Sequence, residues 1–348
     1  MKKLKLLFHV GFGKTATTWL QRQIFPNLEN CLYLGKKGFN DLMYSREFHH
    51  LHYRLFEPLH SLKRYRSRNS ESLVENYVAA MEQLIRKRFF LPSSGTVVIS
   101  NESILGYGGY NAELNLLLLY RVVKKIKERL ADDAPEVQVL VVFREQVSFL
   151  QSYYAYDYAH QKYQHRNIDR FIEYGLIHHH EDVFGQLWVD EIMELIEDLL
   201  PHDQICFLPY EWLKIDPKGF LVQAIGEYVS IEQISSLASA PKENVNRDTR
   251  DYNYLRDTSL IRKLFLHTHY YTRYLPGRTQ RMVAKELRRL QNQPIMQHLQ
   301  QPVIKGAIKM NEHQRKAIRA LYCESNTRTA RKLNRDLGAL GYATQETP

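Results

Sequence analysis

The first twenty residues constrain the fold of this chain more than any other stretch. Leu6-Leu7-Phe8-His9-Val10 is an apolar run, and Gly11-Phe12-Gly13 is a glycine turn. Lys14-Thr15-Ala16-Thr17-Thr18-Trp19-Leu20 then opens a helix with one cation and three hydroxyls. A buried strand, a tight turn and a helix form the unit from which parallel sheets are built. Unpaired N–H groups at such a helix start carry partial positive charge, so this order of residues makes an anion cradle. Gly11 and Gly13 let the backbone approach an anion. Lys14 adds a full charge, and Thr15, Thr17 and Thr18 offer hydroxyl donors.

The rest of the chain repeats the alternation. Strand-like apolar runs lie near 4–10, 31–34, 96–100, 137–143 and 204–208. Helical patterns lie near 15–25, 71–90, 113–130, 145–160 and 181–200, and the chain reads mostly helical after about 217. The expected fold is α/β, a P-loop-like parallel sheet flanked by helices with a mostly helical C-terminal extension. With no Pro/Gly/Ser-rich linker and no repeat, residues 1–348 read as a single domain, with a core to about 235 and a helical part over 236–348. Ligands of such sheets bind at the carboxyl ends of strands. Lys14, Glu102 and Arg144 each follow a strand end, which puts them on one edge.

The loop is shorter than the usual ATP-binding loop. In the pattern G-x-x-x-x-G-K-[ST] the first glycine falls on Phe8, and no later strand ends in an aspartate for magnesium. Ile99-Ser100-Asn101-Glu102 offers a glutamate, and Val142-Phe143-Arg144 an arginine suited to a second anion.

At these residues the chain resembles the sulfotransferase family, whose donor is 3′-phosphoadenosine 5′-phosphosulfate (PAPS). Gly13-Lys14-Thr15-Ala16-Thr17-Thr18 is similar to the family's 5′-phosphosulfate loop, with Ala16 where glycine is usual. Alanine suits that place if residue 16 lies inside the helix, and not if it needs positive φ. Arg144 with Ser152, eight residues on, is similar to the pair that holds the donor's 3′-phosphate. Ser148 stands at the wrong spacing for that pair. Residues 207–213 resemble the family's "YE-x-L" region, and 242–245 a segment near the donor lid, to which Asn244, Asn246 and Arg247 would belong. Residues 325–328 through 340–342 resemble the C-terminal helix and tail of bacterial members.

The resemblance implies sulfuryl transfer from PAPS to an acceptor hydroxyl or amine, on a carbohydrate or glycolipid, with no metal required. Lys14, the loop N–H groups and Thr17 or Thr18 would stabilise the transferring group. Arg144 and Ser152 would position the nucleotide, and Glu102 is the candidate base. Histidine is the rival base. His9 lies in a strand and reads as a packed residue, and His178-His179-His180 lacks the spacing of a helical metal pair. Tyrosines 153, 154, 156, 158 and 163 point in different directions on a helix and read mainly as packing. Two other functions stay open: an ATP-dependent small-molecule kinase, and a non-catalytic binder of acidic glycans.

A net charge of +10, from 48 basic against 38 acidic residues, favours anionic partners such as PAPS or an acidic acceptor. No nucleic-acid module accompanies it. Cys31, Cys206 and Cys323 form no metal or disulfide pattern. The apolar run behind Met1-Lys2-Lys3 is too short for a signal peptide, and no membrane-spanning run occurs, so a cytoplasmic setting is expected. The segment 63–70 reads as a basic insertion.

Overall fold

β1 (Lys5–His9) is the middle strand of a five-stranded sheet, and its side chains from Leu6 to Phe8 are entirely shielded from solvent. β2 (Cys31–Gly35), β3 (Thr96–Ser100), β4 (Glu136–Phe143) and β5 (Ile205–Pro209) join it in a parallel sheet of order β2-β3-β1-β4-β5. Strands buried on both faces carry unbroken apolar runs, and these strands fall within one residue of the runs in the sequence. In register, His9 faces Ser100 of β3 on one side and Leu140 of β4 on the other. From β1 the chain leaves towards β2, whereas from β4 it leaves towards β5. Directions therefore diverge between β1 and β4, the switch point at which such sheets bind ligands.

The computed structural model describes residues 4–35, 48, 51–52, 55–56, 70–89, 95–102, 104–105, 112–130, 135–157, 168–200, 205–240, 253–256, 277–291, 293, 304–307 and 309–345. The helix after β1, α1, is α-helical over Thr17–Trp19, widens to a π turn over Leu20–Ile24 and tightens over Phe25–Asn27. Further helices are α2 (Ser70–Arg88), α3 (Ala112–Arg129), α4 (Gln146–Asp157), α5 (Ile168–Ile177), α6 (Asp182–Gly185) and α7 (Val189–Leu199). After β5 come α8 (Tyr210–Ile215), α9 (Pro217–Ile225), α10 (Ile231–Ala238), α11 (Gly277–Gln291) and α12 (Glu312–Leu333). Among the described residues, no helix is long and apolar enough to cross a membrane.

Two compact units divide the chain. The first comprises Met1–Leu150, Glu173–Glu243 and His313–Pro348, and holds the sheet. Its α2 and α3 are laced by ion pairs of Lys125 with Glu71 and Glu75 and of Arg129 with Glu75 and Glu82. Such exposed pairs contribute little each. The second unit comprises Gln151–Ile172 and Asn244–Glu312. Its β6 (Asn253–Arg256) and β7 (Ile304–Ala307) pair antiparallel, one short ladder in a stretch whose sequence reads as helical.

Candidate anion-binding site

The loop is tied to β4 before it turns. Val10 N–H donates to Leu140 C=O (3.0 Å) and Phe12 N–H to Val142 C=O (3.2 Å). A Cβ on Gly11 would lie 2.8 Å from the Val142 nitrogen, so this glycine has a packing reason of its own. Thr15 donates its hydroxyl proton back to Phe12 C=O, and Thr17 donates its own to Glu102 Oε2 at 2.6 Å. A hydroxyl has one proton. Of the three threonines, only Thr18 keeps one uncommitted among the described residues.

Residue 16 lies outside the helix. Ala16 is the N-cap of α1 with φ 61° and ψ 14°, and the helix begins at Thr17. The condition under which alanine is unfavourable is therefore met, and Lys14 is left-handed as well, with φ 69°. Each such non-glycine residue costs about 1–2 kcal/mol. Left-handed residues in a turn can aim successive N–H groups to one side, as in anion-binding nests. Backbone strain of this kind clusters at functional sites. We expect Ala16→Gly to stabilise the protein by about 0.5–1 kcal/mol, the relieved strain less the entropic cost of glycine. A raised urea midpoint would show it. A lowered midpoint would mean that the packing of the Ala16 methyl against the core outweighs the strain.

Arg144 follows the last residue of β4 and is buried, only 6% exposed. Its Nη1 donates to the Lys14 carbonyl at 3.0 Å, and its Nε to Ser148 Oγ at 3.0 Å. Its guanidinium lies 4.9 Å from the ring centre of Tyr210. A cation over a ring face is held electrostatically. Glu145 does not pair with it. The Glu145 carboxylate instead accepts from the amides of Val147 (3.1 Å) and Ser148 (2.7 Å), capping the first turn of α4. Ser148 stands at the wrong spacing for the family's pair, yet i, i+4 neighbours at a helix start are the ones that meet. Ser152 is half-buried one turn further along α4 and belongs to the second unit.

Glu102 stands in the turn after β3, half-buried. Asn101 N–H extends the ladder to His9 C=O (3.0 Å), and the Asn101 side chain meets His52 Nε2 at 2.9 Å. The Thr17 bond fixes Glu102 against the start of α1, so the β3 turn and the β1 loop are joined. His9 is fully buried, with Nδ1 2.8 Å from Ser100 Oγ, as a packed histidine should be. Gln21 also donates to that Ser100 oxygen at 3.1 Å. Burial lowers the His9 pKa to about 4, with Glu102 offsetting part of the drop.

Other sequence features resolve as packing. His178 meets Glu181 at 3.3 Å, and His180 stacks on Trp188. Tyr153 and Tyr154 pack on Phe171 inside the second unit. Burial pushes the thiols of Cys31 and Cys206 up to about 12. No group of three or more metal-ligating side chains occurs among the described residues. Residues 63–69, 244, 246 and 247 and Tyr158 and Tyr163 lie outside the described residues, as does the side chain of Tyr156.

The fold is α/β, and the loop after β1, the turn after β3 and Arg144 meet at the carboxyl edge of its parallel sheet. No protein-family model matches the sequence, and no curated protein matches it. Among solved structures, a sulfotransferase from Alicyclobacillus acidocaldarius is similar over 96% of this chain and 98% of its own, with a TM-score of 0.40 and 12% sequence identity.

Proposed function

We propose that this protein is a sulfotransferase, moving a sulfuryl group from PAPS to a hydroxyl or amine of a carbohydrate or glycolipid. The observation that carries the reading is the 3.0 Å bond from Arg144 to the Lys14 carbonyl. It joins the loop after β1 to the end of β4, which supports reading the two as parts of one site. PAPS has two separated anionic ends and asks for such a pair. Gly11, Gly13, Lys14, Thr15, Ala16, Thr17 and Thr18 form the 5′-phosphosulfate cradle and Arg144 the 3′-phosphate end, to which the family resemblance adds Ser152. Within the cradle the Thr15 and Thr17 side chains brace the loop, while backbone N–H groups, Lys14 and Thr18 face the anion.

In the reaction the acceptor oxygen or nitrogen bonds to sulfur as the sulfur–oxygen bond to the donor's phosphate breaks. The bonding electrons leave with the phosphate, whose growing charge the Lys14 ammonium stabilises. The acceptor's proton goes to Glu102, held at the cradle by Thr17. The three thiols, all unpaired, agree with a reducing, cytoplasmic setting.

Calorimetry with adenosine 3′,5′-bisphosphate in the absence of magnesium tests the reading. Tight binding is expected, and a preference for magnesium–ATP would overturn it in favour of a kinase. Glu102→Gln should lower turnover about 100-fold or more, the usual weight of a general base. The same variant should leave nucleotide affinity within about threefold, because the amide oxygen still accepts from Thr17. An unchanged rate would remove Glu102 from the base role.

A further inference from the structure

Two segments marked in the sequence, 207–213 and 325–342, contribute no group to the cradle, yet they meet around Arg144. Tyr342 Oη donates to Glu211 Oε2 at 2.6 Å. The other oxygen of Glu211 accepts from the Glu145 amide at 3.3 Å. The Tyr342 ring lies edge-on to Phe143, with centroids 5.8 Å apart. Tyr210, next to Glu211, carries the Arg144 guanidinium. Gln146 and Asn326 exchange two hydrogen bonds, at 2.7 and 3.2 Å. Each residue from Phe143 to Gln146 is thus held by α8 or by the region of α12 and the segment behind it.

That segment is itself fastened. After α12 the chain passes a 3-10 turn, Gly338–Leu340, and reverses at Gly341, whose φ of 92° an L side chain rarely adopts. Tyr342 N–H then donates to Leu337 C=O at 3.1 Å. Asn326 donates to Ala343 C=O at 3.0 Å, and Gln345 N–H to Thr327 Oγ1 at 2.9 Å. Tyr342 is 2% exposed and Asn326 1%. Burial raises the Glu211 pKa, and the Tyr342 hydroxyl works against that rise by favouring the charged carboxylate.

We infer that Tyr342 and Glu211 are positioning residues for Arg144: they pin the peptide that follows it and so fix the direction in which its guanidinium faces the donor. This rests on the reading of Arg144 as the donor's 3′-phosphate arginine. A buried hydrogen bond between a hydroxyl and a carboxylate is stronger than a neutral one.

The test is a double-mutant cycle with a separate readout in the free protein. Tyr342→Phe keeps the ring on Phe143 and removes only the hydroxyl. It should weaken binding of adenosine 3′,5′-bisphosphate about tenfold, and less than twofold in an Arg144→Ala background, since coupled residues are not additive. In the ligand-free protein, hydrogen exchange at the Glu145 amide should speed up about tenfold. Glu211→Leu, which can accept from neither Tyr342 nor the Glu145 amide, should reproduce both effects. Equal losses with and without Arg144 would reduce Tyr342 to a general structural role, and unchanged exchange at Glu145 would overturn the pinning of that peptide itself. If wild-type protein bound no nucleotide, the donor reading would fall with its ligand, and the exchange experiment would still decide the pinning.

Discussion

Replacing Lys14 by alanine should lower turnover about 100- to 1,000-fold while donor affinity changes by less than about tenfold. The split follows from what the residue does in the loop. Its carbonyl, a backbone group, receives the Arg144 bond, and alanine supplies the same carbonyl. Its φ of 69° strains alanine as much as lysine, so the substitution neither relieves nor adds backbone cost. The backbone of the loop therefore survives. On the proposed sulfuryl-transfer reading, what disappears is one ammonium that would stabilise charge growing only as the sulfur–oxygen bond breaks. Groups of that kind affect the rate more than ground-state binding. Radiolabelled donor with the best acceptor from a screen of hydroxyl compounds gives the rate, and calorimetry with adenosine 3′,5′-bisphosphate gives the affinity. Turnover retained within tenfold would take Lys14 out of the mechanism. An equal loss in both measurements would make it a binding residue.

The sheet was legible because parallel strands are buried on both faces and therefore written as unbroken apolar runs. The strand ends were legible for the same reason, and with them Lys14, Glu102 and Arg144. The sign of φ at Ala16 was not, since alanine is ordinary inside a helix and only the loop's length decides whether the helix has begun. The destinations of hydroxyl protons were not legible either. Three threonines in a row of six residues look equivalent, yet Thr15 and Thr17 are spent on Phe12 and Glu102. Contacts across long sequence separations were hidden for a further reason. Tyr342 and Glu211 lie 131 residues apart, and neither carries a periodic signal that points to the other. The pairing that fixes Arg144 thus depends on tertiary packing that neither motif encodes locally.

His9 carries the second large expectation, a loss of stability in mild acid. In the folded protein burial holds its pKa at about 4, against an ordinary 6.5. Its Nε2 has no hydrogen-bond partner among the described residues, so a second ring proton would be both desolvated and unpaired. Glu102 is the charged neighbour, and its attraction is too weak to restore the ordinary value. Below pH 6.5 the unfolded chain takes up a proton that the folded chain refuses, and the balance shifts towards unfolding. The full stability contribution is present above pH 6.5 and is lost progressively as pH falls to about 4. At about 1.4 kcal/mol per unit, the loss is on the order of 3 kcal/mol, a large share of a typical folding free energy. Urea titrations at intervals between pH 7 and 4.5 should show this decline. His9→Gln, which offers an amide to Ser100 and has nothing to titrate, should flatten it between pH 6.5 and 5, before most carboxylates take up protons. An identical slope in wild type and variant would show that the acid sensitivity comes from other groups, and that Ser100 and Gln21 reorganise to accept the charged ring.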